Sequence, residues 1–551
     1  MRVYKVVAAT LKDSGVDAVF GLMGDGNMRI VTSLAQDYGI RYYAARHEGG
    51  ALSMADAYAR VTGRVGVCTV TQGPGVVNTM NSLVEAVKAG TPLLLLAGAT
   101  STVARGHNQY IDQSALVATI GAGYESFRGI ETLVADLARA LRRAMLESRP
   151  ILFSLPTNYQ DLEMEWPAQT LQPVAPVQPV YPDPELVKKV ADLIQSARRP
   201  VILGGYGAVR ANACRPLEEL GERIGALFAT SAVAKGLFAQ HEFSVGVSGG
   251  FSTRLAAGLL GQADLVIAFG ASLNQWTVRH GTIFAPSAPL IHCDLNPIAP
   301  GLYTPVTLGV VGDAAATAQV LLQELTARGF RQEGFRTEAV RQKIAGYRPE
   351  DEFEDESVEG RVDPRSLVLH LKHLLPQEYT LTIDGGHCTG FPIAYLDVPD
   401  AAGYVFPIAS QTLGIGVGCA IGAAVARPDR FAALVTGDGA LMMGLVDIDT
   451  AVRYHLPILV VVINDTAYGA EIYFLEKMGL TTEYARFQDP DIAAIARGMG
   501  AQGLTVRSLA DLEKIRPWLA QPDGPLVVDC KVNPEVRGEW FKIAFGDNVK
   551  H

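Results

Sequence analysis

The clearest chemistry in this chain belongs to two aspartates. Asp438 stands in Gly437-Asp438-Gly439, just after an apolar run of strand length, Phe431 to Val435. Asp465 follows a second such run, Ile458 to Ile463. Residues Leu441 to Tyr454 between them carry a helical pattern, so the stretch reads as strand, helix, strand, with the two strands parallel. Both carboxylates then lie just past the carboxyl ends of strands, where open α/β sheets bind ligands. Two converging carboxylates suit a hard cation such as Mg2+. A helix start beside Gly439 offers free N–H groups to a phosphate. Cation and phosphate together predict a diphosphate ligand. A bare GDG would be an ordinary turn; the strand context and the second aspartate one crossover away argue otherwise.

This stretch resembles the metal–diphosphate motif of thiamine diphosphate (ThDP) enzymes of the acetolactate synthase, benzoylformate decarboxylase and 2-hydroxyacyl-CoA lyase type. That motif runs from GDG to an Asn-Asn or Asn-Asp pair, here Asn464-Asp465. The resemblance implies ThDP and Mg2+ as cofactors. It makes Asp438, Asp465 and the backbone carbonyl of Ala467 the metal ligands, and places Gly437, Gly439, Ala440, Tyr468 and Gly469 around the diphosphate. Many relatives have Asn at position 465, so this chain adds a negative charge there.

Other segments fit the same family in the same order. His47-Glu48-Gly49-Gly50-Ala51 resembles its glutamate motif. Glu48 would then hydrogen-bond N1′ of the pyrimidine and promote the imino tautomer that takes the C2 proton. Without that context Glu48 is a first-turn glutamate favoured by the helix dipole. His47 is read as either a reaction-centre contact or a helix cap. Thr71-Gln72-Gly73-Pro74-Gly75 resembles the glycine-rich turn beside the thiazolium. Phe406 to Gly422 resembles the segment that bends the cofactor, with Leu413 as the wedge and the carbonyl of Gln411 accepting from the 4′-amino group.

The loop Ala104 to Gln113 faces the active site in relatives, which makes His107 and Gln113 candidate catalytic residues; His107 is read as either a substrate contact or a solvated loop histidine. Its Tyr110-Ile111-Asp112-Gln113 is closer to benzaldehyde lyase and 2-hydroxyacyl-CoA lyase than to the Phe-Gln-Glu of acetolactate synthases. The adjacent histidines of pyruvate-type decarboxylases are missing. Tyr473 and Phe474 stand near the position of the substrate-selecting Trp of acetolactate synthases.

These residues need a scaffold, and the pattern around them supplies one. Hydrophobic residues make up 48% of the 551 and charged ones 19%, enough for several large cores. Alternating strand and helix patterns predict an α/β fold of three doubly wound parallel-sheet domains. The resemblance names them pyrimidine-binding (residues 1–165), central (185–330) and diphosphate-binding (361–540). Pro167 to Pro184 reads as a proline-rich linker and Glu350 to Glu359 as an acidic one.

Gly204-Gly205-Tyr206-Gly207 is a weak dinucleotide signal in the central region. That domain binds FAD in acetolactate synthases, an ADP group in some lyases, and nothing in several decarboxylases. The loop Gly246 to Phe251 lacks the usual Met-His-Gly ending, which weighs against FAD. Trp276 and Arg279 are read as lining either the active-site entrance or the domain surface.

The net charge of −10 with no dense basic block excludes nucleic acid and anionic membranes as expected partners. No signal peptide opens the chain and no apolar run spans a membrane. Six scattered cysteines without a CxxC read as reduced core residues, and a cytoplasmic protein is expected. In the family, Glu48 of one subunit serves cofactor held by Asp438 of another, so a homodimer or homotetramer is implied.

The functional expectation is a ThDP- and Mg2+-dependent C–C lyase or ligase on a 2-keto acid, decarboxylating and then carboligating, similar to acetolactate synthase. The alternatives are a 2-hydroxyacyl-CoA or benzaldehyde lyase, a benzoylformate-type decarboxylase, and a non-catalytic binder of ThDP or a nucleotide.

Overall fold

The computed structural model describes residues 1–104, 106–165 and 178–544. Most of the expected proline-rich linker, residues 166–177, and Arg105 of the loop before Gln113 lie outside the described residues.

Three six-stranded sheets, parallel throughout, carry the architecture. The first holds β1 (Ala18–Gly21), β2 (Arg41–Ala44), β3 (Gly66–Val70), β4 (Leu93–Ala99), β5 (Gly123–Ser126) and β6 (Pro150–Pro156). The second holds β7 (Pro200–Gly204), β8 (Leu227–Thr230), β9 (Ser244–Val247), β10 (Leu265–Phe269), β11 (Leu290–Asp294) and β12 (Leu308–Val311). The third holds β13 (Thr380–Ile383), β14 (Tyr404–Val405), β15 (Ala432–Gly437), β16 (Ile458–Asn464), β17 (Gln502–Val506) and β18 (Leu526–Lys531). The central strands are apolar and buried throughout, as sheets covered by helices on both faces require.

The first and third sheets share one order, β2-β1-β3-β4-β6-β5 and β14-β13-β15-β16-β18-β17. The middle sheet has the dinucleotide-fold order, β12-β11-β10-β7-β8-β9. Each order has a central switch point where the chain reverses direction across the sheet, and a crevice opens there above the strand ends. In the third sheet that point lies between β13 and β15, where Asp384 and Asp438 emerge.

The first and third domains share a core. The helix Glu48–Thr62 is buried along nearly its whole length, as an all-round apolar and small-residue helix must be. It packs on the helix Gly416–Ala426, and both sequences are rich in Gly and Ala. Small residues are needed there. A Cβ at Gly422 would stand 2.1 Å from the carbonyl oxygen of Met54, and one at Gly418 2.9 Å from that of Gly50. Polar ties flank this seam. Arg46 pairs with Asp449 at 2.7 Å, and the Ala44 N–H donates to the Tyr454 hydroxyl at 2.8 Å.

One expectation is corrected. Leu441 to Tyr454 is not a single helix. It is two short ones, Asp438–Gly444 and Ile448–Arg453, joined by the 3-10 turn Leu445–Asp447. Gly444 lies at the break, where a Cβ would stand 2.3 Å from the Gly414 carbonyl oxygen. That close approach interrupts the helix and turns Asp447 toward Gly50. The cysteines are all free; five are buried and Cys214 is half-buried. Among the described residues no helix is long and apolar enough to cross a membrane.

Candidate active site

Asp438 is the first residue of its helix and only 3% exposed. Its Oδ2 has no hydrogen-bond partner among the described residues. Burial, and then the charge of Asp465, push its carboxyl up to about 7. A buried carboxyl raised by desolvation and by a second carboxylate's charge favours a cation between the two. Asp465 follows β16, where buried Asn464 donates to Asp529 at 2.8 Å and fixes the strand end. The chain then turns sharply: Thr466 has φ +59° and the Ala467 N–H donates to Asp465 Oδ1 at 3.2 Å.

Two glycines make room here. A Cβ at Gly439 would stand 2.7 Å from the Tyr468 ring, and one at Gly469 2.8 Å from Asp465 Oδ2. No group of three or more His, Cys, Asp or Glu able to hold a metal exists among the described residues. Two carboxylates with an unpartnered oxygen instead suit Mg2+, which is commonly held by one or two carboxylates, waters and ligand phosphates. The residues present therefore fit a metal–diphosphate group.

His387, not foreseen from the sequence, completes this side. Its Nε2 accepts from the Gly538 N–H at 3.1 Å, which leaves the proton on Nδ1, 3.5 Å from Asp465 Oδ2. Phe391, Trp540 and Phe541 surround its ring. Tyr473 and Phe474 both reach Phe541, so an aromatic wall stands beside the Asp465 carboxylate. Phe251 stacks on Trp276 and touches Trp540, which ties the central domain into the same wall. Arg279 donates to the Gly249 carbonyl and to Ser252, so it braces the Gly246–Phe251 loop.

The segment from Ile408 to Gly416 lies along the interdomain seam. Gln411 has φ +58°, an unfavourable region for a residue with a side chain. Leu413 is half-buried and lies over Gly385, whose Cβ would stand 2.6 Å from Leu413 Cδ2. Asp384, also missed in the sequence, fixes the far end of this segment. Its buried carboxylate accepts from Gly416 N at 3.0 Å and Gly414 N at 3.3 Å, and burial pushes it up to about 6.

On the first domain, Glu48 is 7% exposed and accepts from Asn78 Nδ2 at 2.9 Å. His47 is the helix cap: its Nδ1 accepts from the Gly49 N–H at 3.1 Å. The Gly73 turn comes within contact of Gln109, and Gln72 donates to Gln109 at 2.8 Å and to Asp25 at 3.0 Å. Three loops, after β1, β3 and β4, thus meet at the strand ends. Gln113 is buried and donates to the Gly98 carbonyl at 2.7 Å, and its Oε1 has no partner among the described residues. His107 makes a local turn, accepting from the Gln109 N–H at 3.1 Å. Among the described residues nothing joins His107 to the Asp438 side.

The two halves meet through the seam. The Glu48 helix start faces Asp447, and Asn81, just beyond Asn78, accepts from Thr412 at 3.4 Å. The seam thus brings the start of the Glu48 helix against Asp447, and the loop that carries Leu413 against Asn81.

Comparison with known proteins places this geometry. Residues 1–116 match the family model described as thiamine pyrophosphate enzyme, N-terminal TPP binding domain. Residues 187–321 match the central domain and 384–530 the C-terminal TPP binding domain of the same enzymes. The chain belongs to the thiamine diphosphate-dependent enzymes of the acetolactate synthase type, and it is an enzyme of that cofactor. It is 29% identical to the sulfoacetaldehyde acetyltransferase of Rhodobacter capsulatus, covering 98% of this chain and 96% of that one. It is 28% identical to the enzyme of that name from Alcaligenes xylosoxydans, covering 91% and 87%. It is 25% identical to the acetolactate synthase isozyme 3 large subunit of Escherichia coli, covering 92% and 90%.

Proposed function

We propose that this enzyme uses ThDP and Mg2+ to cleave the bond next to the carbonyl of a 2-keto acid and join the remaining fragment to a second carbonyl compound, in the manner of acetolactate synthase. The observation that carries the reading is the unpartnered Oδ2 of buried Asp438 beside Asp465, in the crevice between β13 and β15. Asp438, Asp465 and the backbone at Ala467 would hold the metal; Gly437, Gly439, Ala440, Tyr468 and Gly469 would surround the diphosphate. The bound cofactor supplies the electron sink that side chains lack.

The chain's own residues do the rest. Glu48, buried and positioned by Asn78, would hold the proton-sharing contact at the pyrimidine. Gln411 would accept from the cofactor's amino group through its backbone, and Leu413 would fill the bend. The wall of Tyr473, Phe474, Trp540 and Phe541 keeps water from the Asp465 side, which favours transfer to a second carbonyl over protonation. Both histidines of the first domain are tied into local turns through Nδ1, which also argues against simple decarboxylation.

Flavin is not included in this proposal. The loop that approaches it in relatives is covered by Trp276: a Cβ at Gly249 would stand 1.8 Å from the Trp276 carbonyl oxygen. A homodimer or homotetramer is proposed with it, since Met442 and Met443 stand 45% and 53% exposed beside the cofactor loops.

A lyase on a 2-hydroxyacyl-CoA or a benzoin is the second reading, favoured by the open Oε1 of buried Gln113. The test is product analysis of the purified enzyme with ThDP, Mg2+ and 13C-pyruvate. CO2 and a ligated hydroxyketo acid are expected. Neither product from pyruvate, with aldehyde released from a benzoin or a 2-hydroxyacyl-CoA, would replace the first reading by the second.

A further inference from the structure

We propose that Glu85 is a positioning residue: it clamps the loop that carries Gln411 and Leu413 and so sets where that loop meets the cofactor. The inference rests on the ThDP reading above. Glu85 belongs to the helix Met80–Ala89 of the first domain and is fully buried. Its carboxylate accepts from Ala409 N at 3.0 Å, Ser410 N at 2.7 Å and Ser410 Oγ at 2.8 Å, all in the third domain. Arg60 donates to it at 3.0 Å and also pairs with Asp56 at 2.8 Å. A buried carboxylate is tolerated only when its oxygens are satisfied this fully. Asn81, four residues earlier and on the same helix face, accepts from Thr412 Oγ1 at 3.4 Å.

The loop is therefore held at two places. Glu85 grips residues 409 and 410 from across the domain seam, while Asp384 grips Gly414 and Gly416 from within the third domain. Gln411 lies between the grips at φ +58°. A non-glycine residue stays in that region only when its surroundings impose it. The clamp explains the imposed conformation at the residue whose carbonyl is proposed to meet the cofactor. General packing of the seam would not: it needs no carboxylate aimed at two consecutive backbone amides.

The test uses Glu85→Gln, which keeps the size, and Glu85→Asp, which keeps the charge to Arg60 and guards against misfolding of the first. Tyr454→Phe, which removes a seam hydrogen bond away from the loop, is the control. Hydrogen exchange of the amides of residues 408–412 is measured without cofactor, and C2-proton exchange of ThDP is measured at saturation. Both Glu85 variants should expose the loop amides at least tenfold faster and slow C2 exchange at least tenfold. Tyr454→Phe should change neither by more than twofold. Loop amides or C2 exchange at the wild-type rate in both Glu85 variants would overturn the proposal, as would an equal loss in Tyr454→Phe. A wild-type enzyme that exchanges C2 no faster than free ThDP would sink the cofactor reading instead, and the cofactor-free amide measurement would still decide the clamp.

Discussion

Asp447→Asn should remove a pH dependence of stability that the fold imposes on itself. Asp447 sits at the helix break beneath Gly50, is 4% exposed, and has an Oδ1 without a partner among the described residues. Burial pushes its carboxyl up to about 7. In an unfolded chain an aspartate titrates near 3.9. The folded-state pKa is thus the higher one. Its contribution to stability is complete below the unfolded value and is lost as pH rises toward about 7. The slope between the two values is about 1.4 kcal/mol per pH unit, so the loss reaches about 4 kcal/mol by pH 8. Asparagine does not titrate. Urea unfolding of the cofactor-free wild type and variant from pH 5 to 8.5 should show the difference growing in favour of the variant and levelling off above about pH 7.5. Parallel stability profiles for the two proteins would refute the reasoning.

Other outcomes follow from the same geometry. Glu48→Gln should slow C2-proton exchange of bound ThDP by about 100-fold or more while ThDP still binds, as seen by fluorescence titration. Gly422→Ala should destabilise the protein by about 1–3 kcal/mol in thermal or urea unfolding, because the new methyl meets the Met54 carbonyl and must push the packed helices away from each other. Mixing inactive Glu48→Gln and Asp438→Asn chains should restore a fraction of the activity if each cofactor lies between two subunits; no recovery after verified subunit exchange would put both residues in one chain's site.

The sequence by itself determined much of this protein. The runs ending at Val435 and Ile463 became β15 and β16, and the parallel pairing expected of them is present. Apolar runs bounded by glycine turns are local signals, so the α/β class could be read without a structure. Asp438, Asp465 and Glu48 stand out as candidates because each lies inside a short motif next to a strand end or helix start.

What only the tertiary structure decided lies between segments far apart in the chain. Asp384 and His387 follow β13, yet act on Gly416 and Asp465. Glu85 reaches Ser410 over an interdomain seam that no local pattern describes. The periodicity of Leu441 to Tyr454 predicts one continuous helix; the break at Gly444 comes from the Gly414 backbone pressing from another loop. The order of strands in the middle sheet was equally hidden, since parallel strands of similar composition are sorted by how their helices pack. Motifs record what a residue's sequence neighbours allow, whereas burial, pKa and loop strain are set by whatever the fold brings against it.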